Sequence, residues 1–300
     1  MKSILVIGYS QSGQLHEILA NISENIAGAH IDFVKIKPKT PYPFPWDKFS
    51  FFSQMPKALS GEKIELEDFY IPQEKYDLII FGYQIWYLSP SVPTNSILDH
   101  EKFKKVAKNT DVITVIGARN MWLMSQERIK KRLVEIGANL VGNIALVDNA
   151  TNILSVITIS HWLMKGKKDR KWGIFPYPGV QKNDMDNAVN FGKPINSFLQ
   201  SKDINLQKEI LKNGGTKVKI TLIFTESRGV MIFKKWAQLI KKKGTTKKKL
   251  SVWLTVFRVY LKIAIYIVSP IVLILFSIVR LLNFNKLRKE KEYFEGISLK

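Results

Sequence analysis

Two groups of residues in this sequence have types and spacing suited to chemistry. The first is Ser10-Gln11-Ser12-Gly13-Gln14-Leu15, directly after an apolar run from Ser3 to Tyr9 and before a helical pattern with Ile18, Leu19, Ile22 and Ile26 on one face. A helix start presents backbone N–H groups without intrahelical partners, and its dipole favours an anion. Ser10 and Ser12 add hydroxyl donors, and Gly13 lets the backbone approach a ligand. The loop reads as a phosphate cradle; the plain alternative is a strand–turn–helix that binds nothing. The second group is a pair of loops, Gln84-Ile85-Trp86-Tyr87-Leu88 and Gly117-Ala118-Arg119-Asn120-Met121-Trp122. Trp86 and Tyr87 offer flat rings for stacking, and Arg119 and Asn120 offer polar contacts. A phosphate site beside stacking rings suggests a mononucleotide.

Those loops need a scaffold that brings them to one edge. Apolar strands are expected at Ser3–Tyr9, Ile31–Ile36, Tyr76–Gly82, Asp111–Gly117 and Leu140–Val147, with helices between them. One such helix runs through Ile97 to Val106, and another carries Ile129, Leu133 and Ile136. This alternation predicts an α/β fold with a parallel sheet covered on both faces. In such sheets ligands sit at the C-terminal strand ends, and the loops after strands one, three and four share that edge. Two segments interrupt the alternation. Pro38 to Phe52 is too rich in proline for a regular helix or central strand, and it is either a loop folded over the core or a wall of a lipophilic pocket. Asn149 to Pro176 holds twelve mainly apolar residues, Ile153 to Met164, too few to cross a bilayer. His161 in that run is either structural or, if placed over a bound ring, suited to moving a proton.

The first two hundred residues resemble the flavodoxin-like FMN proteins. The resemblance rests on Gly8-Tyr9-Ser10-Gln11-Ser12-Gly13-Gln14, on Tyr76 to Pro93, and on a last helix from Asp184 to Leu199 after Tyr177-Pro178-Gly179. It implies a doubly wound, five-stranded parallel sheet. It also implies that residues 10–15 hold the FMN phosphate and that residues 84–88 and 117–122 flank the isoalloxazine. Leu15 departs from the pattern, because those proteins usually carry a phosphate-binding Thr there. More narrowly, Tyr9 to Leu15, Pro41-Tyr42-Pro43-Phe44-Pro45-Trp46 and Gly117 to Trp122 are similar to dialkylresorcinol condensing enzymes of bacterial pigment pathways. That similarity implies a ketosynthase partner and oxidation of a dialkylcyclohexanedione to a resorcinol. Tyr83, Tyr87, Arg119 and His161 are then the polar candidates for catalysis.

The final third differs in character. The net charge is +21, yet residues 201–300 hold 22 of the 46 Lys/Arg and only 6 of the 25 Asp/Glu, so the excess sits in a basic, partly apolar appendage. Lys217–Thr225 alternates and is expected as a strand, and Val230, Phe233, Ala237 and Ile240 follow at helix spacing. Lys241–Lys243 and Lys247–Lys249 precede an apolar stretch from Leu250 to Phe284, cleanest between Lys262 and Arg280 and interrupted by Pro270. Cations beside such a stretch favour anionic membrane lipids over nucleic acid. A single span and a kinked in-plane anchor both remain open. The expected organisation is a domain over 1–200 with aromatic insertions at 38–60 and 149–176, a basic extension over 201–249 and a membrane-associated segment over 250–300. The N-terminus has no signal-peptide pattern, and the sequence holds no Cys, which excludes thiolate catalysis and disulfides. No metal motif is read. The expected activity is FMN-dependent oxidation of a lipophilic small molecule at the cytoplasmic face of the inner membrane. The alternatives are an NAD(P)H-dependent quinone reductase, an electron carrier, and a binding protein that has lost its cofactor.

Overall fold

A computed structural model describes residues 1–299, without the side chains at 275 and 277–282. The sheet strands are β1 (Lys2–Gly8), β2 (Ala29–Lys35), β3 (Leu78–Gly82), β4 (Asp111–Ala118) and β5 (Asn139–Val147). All pair in parallel, in the order β2-β1-β3-β4-β5. Ile4–Ile7, Leu78–Phe81 and Val112, Ile113, Val115 and Ile116 are buried, as expected of strands covered on both faces. The order reverses between β1 and β3, so the crevice of the sheet opens there, at the C-terminal ends of those strands. Gly8 pairs with Gly82 at this point, and a Cβ on Gly8 would lie 2.3 Å from the Gly82 carbonyl oxygen. Only glycine permits that approach.

The helices are α1 (Gln14–Glu24), α2 (Lys48–Leu59), α3 (Val92–Asp99), α4 (Glu101–Ala107), α5 (Leu123–Ile136), α6 (Asn152–Lys165), α7 (Lys182–Asp186), α8 (Gly192–Gln200), α9 (Leu206–Lys212), α10 (Ile220–Lys243), α11 (Lys247–Ile263), α12 (Ser269–Leu282) and α13 (Phe284–Glu295). Ile18, Leu19 and Ile22 of α1, with Ile195, Phe198 and Ile210 from α8 and α9, cover one sheet face. Ile97, Leu98, Phe103, Ile129 and Leu133 from α3, α4 and α5 cover the other. The helix expected over Ile97–Val106 is divided at His100, whose extended backbone ends α3 and starts α4.

Two expectations fail in the last third. Lys217–Thr225 is no strand. After a single bridge between Thr216 and Ala145, the chain enters α10 at Ile220. Alternating Lys and apolar residues satisfy either period over a few positions, and burial of Ile223, Glu226 and Val230 on one helical face decides for helix. The boundary at 200 also fails. Leu206 and Ile210 belong to the core beneath the sheet, and Ile223 and Phe294 pack in the core above it. A third cluster joins α2 to α10 and α11 through Met55, Leu59, Ala237, Ile240, Leu254 and Phe257. Part of α2 also lies inside the stretch expected to lack a helix, because Asp47 caps it by accepting from the Ser50 N–H at 2.9 Å, beyond the last proline of that run. Before Pro270 the helix widens into a π segment, Ala264–Val268, relieving the clash of the proline ring with the preceding turn. Of the apolar stretch expected at 263–279, the side chains at 275 and 277–279 lie outside those described.

Candidate functional site

The turn after β1 leaves three donors free. Leu15 N–H donates to Ser10 Oγ at 3.2 Å, and Gln11 N–H donates to Gln84 Oε1 at 3.3 Å. Among the described residues, the N–H groups of Ser12, Gly13 and Gln14 have no acceptor. Gly13 sits at the α1 N-cap with φ +84°, a left-handed conformation that turns consecutive amides toward one point. The Gln14 side chain is committed elsewhere. Its amide nitrogen donates to Val180 O at 3.0 Å, and its oxygen accepts from Val180 N–H at 3.2 Å. This clamp fastens the loop at Gly179 to the start of α1.

A cavity of about 870 Å³ opens beside this turn. Its size is that of pockets that hold cofactor-sized ligands. Gln11, Ser12, Gln14 and Leu15 form one end, Gln84–Leu88 and Gly117–Arg119 one wall, and Phe44, Trp46, Phe51 and Phe52 another. The remaining lining comes from Lys48 and Gln54 of α2, from Met121 and Gly179, and from α6, α10 and the 258–272 region. The proline-rich segment is therefore a pocket wall. Its Tyr42 and Trp46 pack edge-on to Trp86, with ring centres 4.9 and 5.6 Å away, and Tyr9 adds a third edge at 6.2 Å. Trp46 N–H donates to Leu163 O at 2.8 Å, tying this wall to α6.

Trp86 lies in a short two-stranded ribbon, Ile85–Trp86 against Ser89–Pro90, with Tyr87 in its turn. The turn between its arms has Tyr87 and Leu88 at φ 51° and 62°. Both central residues of this tight turn need positive φ, and non-glycine residues there cost about 1–2 kcal/mol each. Tertiary contacts offset that strain. Tyr87 Oη donates to Phe51 O at 2.9 Å, and Leu88 packs so closely on α10 that a Cβ at Gly229 would lie 3.0 Å from its Cδ1.

Arg119 lines the cavity at the end of β4. Its Nη1 donates to Asn152 O at 3.1 Å and Asn152 Oδ1 at 2.8 Å, and Asn120 Nδ2 donates to the same Oδ1 at 3.0 Å. Burial lowers the Arg119 pKa to about 10, while Asp148 and Glu226 oppose that shift. The guanidinium remains charged at neutral pH. Glu226, fully buried on α10, accepts from the N–H groups of Met124 at 2.8 Å and Leu123 at 3.2 Å, at the first turn of α5. Burial pushes its pKa up to about 8 against the pull of those amides and of Arg119. Asp148, Asn152 and Glu226 were not singled out in the sequence. A lone carboxylate mid-helix carries no local mark of a buried partner one hundred residues away.

The structure brings together Gln11, Ser12, Gln14, Leu15, Gln84–Leu88 and Gly117–Arg119. Other expected residues stand apart from the cavity lining. Ser10 holds the turn from within, and Gly13 shapes it. Asn120 and Trp122 are buried beside the start of α5, Trp122 in the core. Tyr83 is fully buried with its Oη donating to Gln126 Oε1 at 2.7 Å. His161 turns toward Asp169, with Nε2 and Oδ1 2.8 Å apart. Among the described residues lining the cavity there is no Asp, Glu or His, whereas Lys48, Arg119, Arg228, Arg258 and Lys262 are present.

No family model matches this chain, and no curated protein does. Similar solved structures include a flavoprotein in complex with FMN from Lactobacillus acidophilus NCFM, at 19% identity, covering 48% of this chain and 93% of that one, with a TM-score of 0.40. Flavodoxin 1 from Bacillus cereus is 14% identical, covering 64% and 95%, with a TM-score of 0.32. A flavone reductase is 14% identical, covering 67% and 64%, with a TM-score of 0.34. The strand order β2-β1-β3-β4-β5, all parallel, decides the architecture by itself. The fold is flavodoxin-like. In a flavodoxin-like sheet the switch point between β1 and β3 is the ligand crevice, and the free amides of residues 12–14 stand at that place.

Proposed function

We propose that this chain is an FMN-dependent oxidoreductase that converts a dialkylcyclohexanedione to a dialkylresorcinol at the cytoplasmic face of the inner membrane, beside a ketosynthase. The observation that carries the reading is the cavity itself. It has the unpartnered amides of Ser12 and Gln14 at one end, aromatic walls and, among the described residues, cations without carboxylates along its lining. The donor set fits the cofactor: the N–H groups of Ser12, Gly13 and Gln14, with the Ser12 hydroxyl, suit a phosphate dianion. The loops at 84–88 and 117–119 supply the walls for a planar ring. When bound, FMN supplies a two-electron hydride acceptor.

The lining also fits the substrate class. A 1,3-dione is a vinylogous acid that ionises by losing the proton between its carbonyls, so it needs a cation more than a strong base. Arg119, oriented by Asn152, meets that requirement. From the bound enolate, the ring carbon next to a carbonyl would give up a proton to solvent as its neighbour gives up a hydride to the bound flavin, and the resulting anion would tautomerise and take back one proton to give the resorcinol. One proton and one hydride leave in total. Trp46, Phe51, Phe52 and Trp86 exclude water and receive the alkyl chains.

The test is the visible absorption spectrum of protein purified in mild detergent, followed by anaerobic addition of the dione. Yellow protein that bleaches as resorcinol forms supports the reading. Colourless protein that takes up no added FMN overturns it. Bleaching by NADPH but not by the dione reverses the electron flow and makes the chain a quinone reductase.

A further inference from the structure

The apolar stretch after Lys249 presents two faces with different fates. Its inner face is bound to the domain. Leu254 and Phe257 are buried against Met55, Leu59 and Ile240. Phe276 is buried with its ring 4.6 Å from that of Phe224 on α10. Between these anchors Arg258, Lys262, Tyr266 and Ser269 face the cavity. The outer face is a ladder of exposed aliphatic side chains: Val252, Val256, Val259, Ile263, Ile267 and Ile271. They recur at helical spacing, and the wider π turn before Pro270 keeps Ile267 and Ile271 in line with the rest.

The far end of the stretch returns to the domain it left. Leu287 is buried, and the half-buried Phe294 packs against the core above the sheet. Gln207 Nε2 donates to Glu295 O at 2.7 Å, and Lys130 Nζ donates to Ser298 O at 3.1 Å. Tyr293 Oη donates to Glu127 on α5. The segment Lys247–Ile274 has the length and apolarity of a membrane span; its most apolar stretch of 18 residues has mean hydropathy 1.9, and only 6% of that stretch is buried. A span would carry residues 284–299 to the opposite side of the bilayer from α5 and α9. That would break the core packing of Phe294 and all three hydrogen bonds.

We infer that α11, the π segment and the start of α12 form an in-plane anchor on an anionic bilayer, placing the cavity against the lipid interface. The aliphatic ladder enters the acyl boundary, and Lys247, Lys248 and Lys249 with Lys242 and Lys243 meet anionic headgroups, whereas Lys241 is paired with Glu62 at 2.7 Å. Both basic flanks then lie on one side. The cavity wall and the membrane face belong to the same helix, so an amphiphile passes between lipid and cavity without crossing water. Arg258 and Lys262 stand where an anionic head would turn inward. The inference concerns docking alone, and its tests require no flavin.

The absence of Cys makes topology measurable in the full chain. Single cysteines are introduced as Tyr70→Cys on the domain, Lys248→Cys before the ladder and Lys289→Cys after it, all at exposed positions. Each protein is bound to vesicles of phosphatidylglycerol and phosphatidylethanolamine and treated with a membrane-impermeant thiol reagent. In-plane docking gives equal labelling of all three, and Ile267→Cys is protected by vesicles. Labelling of Lys248→Cys and Lys289→Cys from opposite sides overturns the inference. In flotation, Val259→Asp/Ile263→Asp lowers binding by at least about tenfold. Unchanged binding with native circular dichroism overturns it, as does a lipid-free dimer that protects Ile267→Cys and no longer floats with vesicles.

Discussion

Replacing Glu226 with glutamine separates two forces acting on one buried carboxyl group. Burial pushes its pKa up to about 8 from 4.5, against amides at the start of α5 and the Arg119 guanidinium. In the unfolded chain the group ionises at its ordinary value, whereas in the folded protein it keeps its proton until about pH 8. The folded state therefore binds more protons between those limits, and stability falls as pH rises through this window. The slope approaches about 1.4 kcal/mol per pH unit, or about 4 kcal/mol between pH 5 and 8. Glutamine does not titrate, so Glu226→Gln lacks that slope. It also offers one oxygen to the two N–H groups of Leu123 and Met124, leaving one unsatisfied at a cost of about 1–3 kcal/mol. The variant is thus less stable than the parent at pH 5 and gains on it steadily, with the two curves crossing before pH 8. Urea denaturation in mild detergent at each pH unit from 5 to 8 measures the difference. A constant difference, or one that favours the parent as pH rises, refutes the reasoning. It would mean that the α5 amides and Arg119 outweigh burial and hold the carboxylate ionised.

Three further outcomes follow from the site. Ser10→Asp keeps an oxygen to accept from Leu15 N–H but sets a negative charge beside the free amides, so the thermal midpoint stays within about 3 °C of the parent while FMN uptake is lost; retained flavin refutes the phosphate assignment. Gly179→Ala forces a left-handed residue, φ +80°, whose Cβ meets Gln14 Oε1 at 2.8 Å and the Trp162 ring at 2.9 Å. It costs about 1–3 kcal/mol in denaturation and weakens FMN binding in titration, because the clamp holds the start of α1. Tyr87→Phe removes only the donor to Phe51 O, so it costs about 1 kcal/mol and leaves dione turnover within about threefold; a loss of a hundredfold or more would make that hydroxyl a catalytic group.

The sequence by itself determined the alternation of strands and helices and the place of the turn between β1 and α1. Both depend on local signals. Ile4–Ile7 and Leu78–Phe81 are unbroken apolar runs of strand length, Val112–Ile116 is one broken only by Thr114, and Ser10, Ser12 and Gly13 are the small residues such a turn requires. It also offered Trp86 as a stacking ring and left the aromatic insertion open between a loop over the core and a pocket wall. Tertiary structure decided where side chains point. Tyr83 and Tyr87 are neighbours, yet one Oη enters the core toward Gln126 and the other reaches Phe51 across the cavity wall. His161 turns out to Asp169, while Trp162 beside it lines the cavity. Arg119 is oriented by Asn152, which lies on a different element. The last third shows the same limit. Alternation in Lys217–Thr225 fits a strand until α2 and α5 bury one helical face, and hydropathy after Lys249 cannot tell span from anchor. Hydropathy records what a segment can leave in lipid; the return of Phe294 to the core records which side its end must occupy.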